Sequence, residues 1–62
     1  MPVLTVQMWK GRTEEQKRAM VKALTEAMVE TTGTKIEAVH VIIQDVSKSD
    51  WGIGGDLCSD KF

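Results

Sequence analysis

One long helix between two strand-like segments is the feature that most constrains how this 62-residue chain can fold. Thr13 is a typical N-cap residue, Gln16 follows it at the spacing of a capping box, and Gly33 is a typical helix-ending residue. Between these signals, apolar residues recur at the spacing of one helix face. That face consists of Met20, Leu24, Ala27 and Met28, extended by Thr31 and flanked by Val21 and Val29. The pattern predicts an amphipathic helix over residues 14–32.

Two segments rich in β-branched residues predict a strand on each side of this helix. In residues 2–8, Leu4, Val6 and Met8 alternate with Val3, Thr5 and Gln7, and residues 39–46 have an apolar centre. A strand, a helix and a second strand form a βαβ unit, so the two strands should be parallel. We therefore expect an α/β fold in which residues 1–62 form a single domain.

The helix can cover only one face of such a sheet. Val39, Val41 and Ile43 share one face of the second strand, whereas Ile42 lies on the other face between His40 and Gln44. Two strands alone are not independently stable, and a chain of this size buries only about 60% of its unfolded surface. We expect other subunits to supply further strands and to cover the second face.

Composition excludes several classes of protein. Eight Lys and Arg against nine Asp and Glu give a net charge of −1, which offers no basic surface for nucleic acid. No apolar run approaches the roughly 20 residues of a membrane helix, and the first residues lack a signal-peptide pattern. With one cysteine and one histidine, the chain has neither a disulfide nor a plausible zinc set. A cytoplasmic protein without membrane or nucleic-acid partners is the expectation.

The segment from residue 47 to residue 62 is rich in glycine and polar residues. Its centre, Trp51-Gly-Ile-Gly-Gly55, lacks the third glycine of a dinucleotide-binding fingerprint, so we do not expect phosphate binding there. The glycines instead predict a turn or hairpin. Cys58 lies in what reads as a mobile tail without a neighbouring base, so we do not expect a catalytic thiol. We expect His40 to be a packed histidine, or one at the rim of a site, rather than a catalytic residue. Trp9 and Trp51 suit a pocket wall and a subunit interface equally well.

Proline directly after the first methionine is a chemically unusual start. If Met1 is removed, Pro2 becomes a secondary amine, and an ordinary α-amino group titrates near pH 8. An apolar pocket and a neighbouring cation both lower such a pKa, which would make the amine a general base near neutral pH. While Met1 stays attached, the nitrogen is an amide and cannot act in this way.

Three segments together resemble the 4-oxalocrotonate tautomerase family. They are Pro2, the stretch Gly11-Arg-Thr-Glu-Glu-Gln-Lys17 and the segment Gly52-Ile-Gly-Gly55, and they match in register without a gap along nearly the whole chain. The resemblance implies a β-α-β tautomerase fold with a C-terminal hairpin or loop. It also implies a homohexamer built as a trimer of dimers and a reaction that needs no cofactor and no metal.

The resemblance also implies roles for individual residues. Pro2 matches the family's general base and acid, and Arg12 matches the arginine that binds a substrate carboxylate, for which a guanidinium is well shaped. Trp51 stands where the family usually has the phenylalanine that keeps the pocket apolar.

Two positions depart from the family pattern. His40 replaces a second arginine that polarises the 2-keto oxygen, and Trp9 replaces a pocket residue that is often leucine. Loss of a charge-assisted contact costs about 1.5–3 kcal/mol, so we expect weaker turnover of 2-hydroxymuconate and consider monocarboxylate enols as substrates. Trp9 would narrow the site or offer its indole N–H.

Three functions follow as hypotheses. The first is an enzyme that interconverts the enol and keto forms of a 2-hydroxy-dienoate or a related unsaturated carboxylic acid. The second is a hydratase or dehalogenase of an unsaturated acid, for which the sequence shows no obvious carboxylate to activate water. The third is a structural subunit of low activity within a hetero-oligomer.

Overall fold

The computed structural model describes all 62 residues and consists of a β-α-β unit followed by a small hairpin. The elements are β1 (Val3–Trp9), α1 (Glu14–Thr32), β2 (His40–Val46), β3 (Gly52–Ile53), β4 (Asp56–Leu57) and α2 (Cys58–Lys61). Two short 3-10 turns, Ile36–Ala38 and Lys48–Asp50, flank β2. The expected fold class is confirmed, and the strand boundaries differ from the prediction by one residue.

Strands β1 and β2 are parallel, with Val3 opposite His40 and Trp9 opposite Val46. Val39 was expected to begin the second strand but lies outside β2. Its N–H donates to the carbonyl of Ile36 and closes the 3-10 turn instead. The Lys10 N–H donates to the Val46 carbonyl at 3.0 Å, so pairing continues just beyond β1.

Helix α1 begins and ends at the signals that the sequence contains. The Thr13 hydroxyl accepts from the Gln16 N–H at 3.1 Å, and the Gln16 side chain accepts from the Thr13 N–H at 3.0 Å. At the other end, Gly33 adopts the left-handed conformation, with φ 72°, and its N–H donates to the Val29 carbonyl. The capping box and the glycine cap therefore fix the helix length.

The face of α1 that packs on the sheet is slightly rotated from the predicted one. Its half-buried residues are Lys17, Met20, Val21, Leu24, Thr25, Met28 and Val29. Ala27 and Thr31 are exposed, which corrects their assignment to this face. Lys17 forms an ion pair with Asp45 of β2, and this contact ties the first turns of α1 to the sheet.

The C-terminal segment is more ordered than its composition suggests. Gly54 and Gly55, with φ of 61° and 91°, form the two-residue loop between β3 and β4, a geometry that favours glycine at both positions. The short helix α2 follows β4 directly and was not predicted. Its first residue, Cys58, is fully buried and its N–H donates to the Trp51 carbonyl at 2.8 Å, so the expectation of a mobile tail around Cys58 is wrong.

Cys58 is also the only buried residue of the chain. The accessible surface is 4749 Å², whereas a monomer of 6.9 kDa typically exposes about 4,000 Å². The radius of gyration is 14.6 Å, against about 10.6 Å for a typical domain of this length. The single chain is therefore more extended and more exposed than a typical domain of its length, and α1 leaves one face of the sheet uncovered. None of its helices is both long and apolar enough to cross a membrane.

Candidate active site

Pro2 and His40 lie together at the amino end of the sheet. The His40 N–H donates to the Pro2 carbonyl at 3.0 Å, and His40 pairs with Val3 in the strand register. The His40 side chain is exposed, whereas Pro2 is half-buried. Parallel pairing therefore brings Pro2, which directly precedes β1, next to His40, the first residue of β2. Met1 precedes Pro2, so the Pro2 nitrogen is an amide.

Trp9 and Trp51 lie together at the carboxyl end of the same sheet. Their ring centroids are 6.1 Å apart and the planes meet at 79°, an edge-to-face arrangement. Phe62 packs on Trp9 with centroids 5.4 Å apart. The turn Lys48–Asp50 and the hairpin bring Trp51 back over the end of β1, so residues distant in sequence form one apolar wall.

The Trp9 indole N–H is buried and has no hydrogen-bond partner within the chain. A buried donor without a partner costs about 1–3 kcal/mol. An acceptor from outside this chain would remove that cost.

Arg12 follows β1 by three residues and lies at the same end as the two tryptophans. Its side chain is exposed and takes no part in the three ion pairs of the chain. A guanidinium without a carboxylate partner is free to bind one from a ligand.

A shallow, open pocket of about 240 Å³ adjoins the aromatic wall. It is lined by Gln7, Val46, Asp50, Trp51 and Gly52. The Asp50 carboxylate accepts from the Ser47 hydroxyl at 2.9 Å, which fixes it at this rim. A second groove, on α1, contains the Glu14–Arg18 ion pair and none of the predicted site residues.

Asp50 and Lys48 were missed as candidates from the sequence. The Lys48 ammonium lies 5.0 Å from the centre of the Trp9 ring. Neither residue stands in a recognisable motif, since both belong to a polar turn, and only the packing of that turn against Trp9 and Trp51 reveals their position.

The structure does not bring all five predicted residues together within one chain. The seven residues of β1 span roughly 20 Å at about 3.3 Å per residue, with Pro2 at one end and Trp9 and Arg12 at the other. Pro2 and His40 form one half of the candidate site, and Trp9, Arg12 and Trp51 form the other half.

The fold matches that of known tautomerases. The model of the tautomerase enzyme family matches residues 2–61, and the chain belongs to that family. It is an isomerase of the 4-oxalocrotonate tautomerase type, as its relatives show. The 2-hydroxymuconate tautomerase of Bacillus subtilis is 45% identical over 60 residues, covering 97% of each chain.

Solved structures agree with this assignment. The crystal structure of YwhB, a homologue of 4-oxalocrotonate tautomerase, superposes with a TM-score of 0.93 at 44% identity, over 95% of this chain and 97% of that one. A heterohexameric 4-oxalocrotonate tautomerase from Chloroflexus aurantiacus superposes with a TM-score of 0.91 at 32% identity, over 97% of each chain.

Proposed function

We propose that this tautomerase interconverts the enol and keto forms of a 2-hydroxy-dienoate or a related unsaturated carboxylic acid, with Pro2 as general base and acid and without a cofactor. The observation that carries the proposal is the placement of the predicted residues. Pro2 adjoins His40 at one end of the sheet, and the unpaired Arg12 follows β1 at the other end, where the two tryptophans pack together. These two half-sites supply a base, a hydrogen-bond donor, a carboxylate binder and a dry surface.

Each half-site has a distinct task in the reaction. Once Met1 is removed, the Pro2 amine takes the proton of the 2-hydroxyl group while electrons shift along the diene. The resulting ammonium returns one proton to carbon, which leaves the keto product and the free amine. Arg12 holds the carboxylate, and His40 donates a hydrogen bond to the 2-oxygen as negative charge develops there.

In the proposed assembly, the aromatic wall of a neighbouring chain lowers the pKa of the Pro2 amine and so favours its unprotonated form. Trp9 and Trp51 exclude water, and an apolar surrounding disfavours the charged ammonium. Arg12 adds a positive charge that acts in the same direction. The nitrogen is therefore expected to be free of its second proton near neutral pH, as a general base requires.

The division of the site implies that more than one chain completes it. Because the two half-sites are roughly 20 Å apart along β1, one substrate can contact both only if the amino end of one subunit meets the carboxyl end of another. We propose a homo-oligomer, a hexamer built as a trimer of dimers, in which the open sheet face is covered.

The test is the ultraviolet rate of ketonisation of 2-hydroxymuconate, measured on protein whose intact mass shows that Met1 is absent. Pro2→Ala should lower kcat roughly 100-fold or more, as expected for loss of an acid–base group. The chain that retains Met1 is the matched control and should be equally inactive. A Pro2→Ala enzyme that keeps more than about a tenth of the rate would refute the mechanism.

Asp50 favours a second candidate, hydration or hydrolytic dehalogenation of an unsaturated acid. Its carboxylate lies at the rim of the pocket formed with Trp51 and Gln7. In this reaction it takes one proton from water as the hydroxide adds to one carbon of the double bond, and a solvent proton adds to the other carbon. When the first carbon carries a halogen, the resulting halohydrin expels halide and a proton and becomes a carbonyl group. Halide release from a vinylic halo-acid, lost in Asp50→Asn, would favour this activity. No halide release would exclude the dehalogenase activity.

The structural-subunit hypothesis makes a different prediction about assembly. Native mass spectrometry of the protein from its own cell should show a homo-oligomer if the chain is an enzyme by itself. A mixed assembly with a second, related chain would favour a structural role.

A further inference from the structure

Lys48 holds its charge directly against the aromatic wall. Its ammonium lies 5.0 Å from the centroid of the Trp9 ring, within the range in which a cation is attracted to an aromatic face. The Trp51 N–H donates to the Lys48 carbonyl at 3.3 Å, so the backbone of the lysine is tied to the second tryptophan. The position of this cation is thus set by the same residues that form the wall.

No carboxylate of the chain neutralises Lys48. The three ion pairs are Lys17–Asp45, Arg18–Glu14 and Lys61–Asp56. The neighbouring Asp50 instead accepts a hydrogen bond from Ser47. Lys48 therefore keeps its full capacity to bind an anion.

Lys48 and Arg12 follow neighbouring strands at the same end of the sheet. The Lys10 N–H bonds to the Val46 carbonyl, and each cation lies two residues beyond one member of that pair. The Trp9 N–H, which lacks a partner, lies in the same region. This end of the sheet thus presents unpaired cations, Arg12 and Lys48 among them, near an apolar wall, which suits a ligand with two negative groups on an apolar frame.

We infer that Lys48 is a substrate-binding residue that supplies a second carboxylate contact beside Arg12 and makes the site selective for dicarboxylate enols. The inference rests on the proposed tautomerase reaction. In this arrangement the second fixed positive charge of the site comes from Lys48 at the carboxyl end of the sheet. His40, at the amino end, carries no fixed charge. A monocarboxylate enol needs only Arg12 and gains nothing from Lys48.

The test compares two substrates on the assembled enzyme without Met1: the dicarboxylate 2-hydroxymuconate and the monocarboxylate enol of phenylpyruvate. Lys48→Met keeps the aliphatic stem and removes the charge. It should lower kcat/KM for 2-hydroxymuconate roughly 10- to 100-fold, mainly through KM, and change the phenylpyruvate value less than about twofold. Lys48→Arg should restore most of the loss. The matched control is Lys10→Met, which removes a nearby exposed charge that does not contact Trp9 and should affect neither substrate.

Other outcomes would overturn the inference. Equal losses with both substrates, accompanied by a lower Tm, would show that Lys48 only stabilises the Trp9 cluster. An unchanged rate with 2-hydroxymuconate, or a wild-type enzyme that accepts only the monocarboxylate, would exclude a second carboxylate contact. Pro2→Ala measured alongside separates this result from the proposed function: if that variant is inactive and Lys48→Met is not impaired, only the inference fails. If Pro2→Ala remains active, the proposed mechanism fails first.

Discussion

Replacing Ile42 with alanine should weaken subunit association by an amount that follows from its exposure. Ile42 is 49% exposed in the single chain and lies opposite Thr5 on the sheet face that α1 leaves open. Fully burying an isoleucine side chain contributes about 1.5–3 kcal/mol, so covering the exposed half contributes about 0.7–1.5 kcal/mol per copy. In a two-fold interface the residue occurs twice. The loss is then about 1.5–3 kcal/mol, or roughly 10- to 150-fold in the dimer dissociation constant.

The assay is sedimentation equilibrium over a dilution series of the wild-type and variant proteins. Ile36→Ala is the matched control, because Ile36 is similarly exposed, at 56%, but lies in the 3-10 turn before β2 and not on the open sheet face. Its dissociation constant should stay within about threefold of wild type. Equal shifts for the two variants, or no shift for Ile42→Ala, would refute the assignment of the open face to subunit association.

Two further substitutions test the half-sites separately. Arg12→Ala should raise KM for carboxylate substrates at least about tenfold, because a charge-assisted contact is lost. The control Arg18→Ala removes an exposed arginine paired with Glu14 and should leave KM unchanged. If steady-state kinetics show an unchanged KM for Arg12→Ala, Arg12 does not bind the substrate. His40→Arg should raise kcat/KM for 2-hydroxymuconate roughly tenfold by placing a fixed charge near the 2-oxygen. If the same kinetic assay shows no gain, lack of charge at this position is not what limits turnover.

Local signals in the sequence were sufficient for the β-α-β unit. The capping box at Thr13 and the cap at Gly33 act within a few residues of themselves, so tertiary context did not alter them. The predicted alternation of sheet faces is also found: Val41 and Ile43 are half-buried, whereas Ile42 is exposed on the other face. The pleat of a strand fixes this alternation.

The C-terminal segment was harder to predict because its order comes from tertiary contacts. Cys58 is buried by packing against the turn that carries Trp51, and a four-residue helix has too little periodicity to be recognised. The contact between Lys48 and Trp9 joins residues 39 positions apart. Such contacts have no signature in a single sequence. The five predicted site residues stay predictions, although their division between two ends of the sheet is now visible.

The edge-to-face pair of tryptophans gives this protein a built-in optical probe. The chain contains two tryptophans and no tyrosine, and both indoles are at the candidate site with their centroids 6.1 Å apart. Nearly all intrinsic fluorescence therefore originates at the wall of the pocket. A ligand that enters there changes the emission of the whole protein, so binding to inactive variants can be titrated without a label.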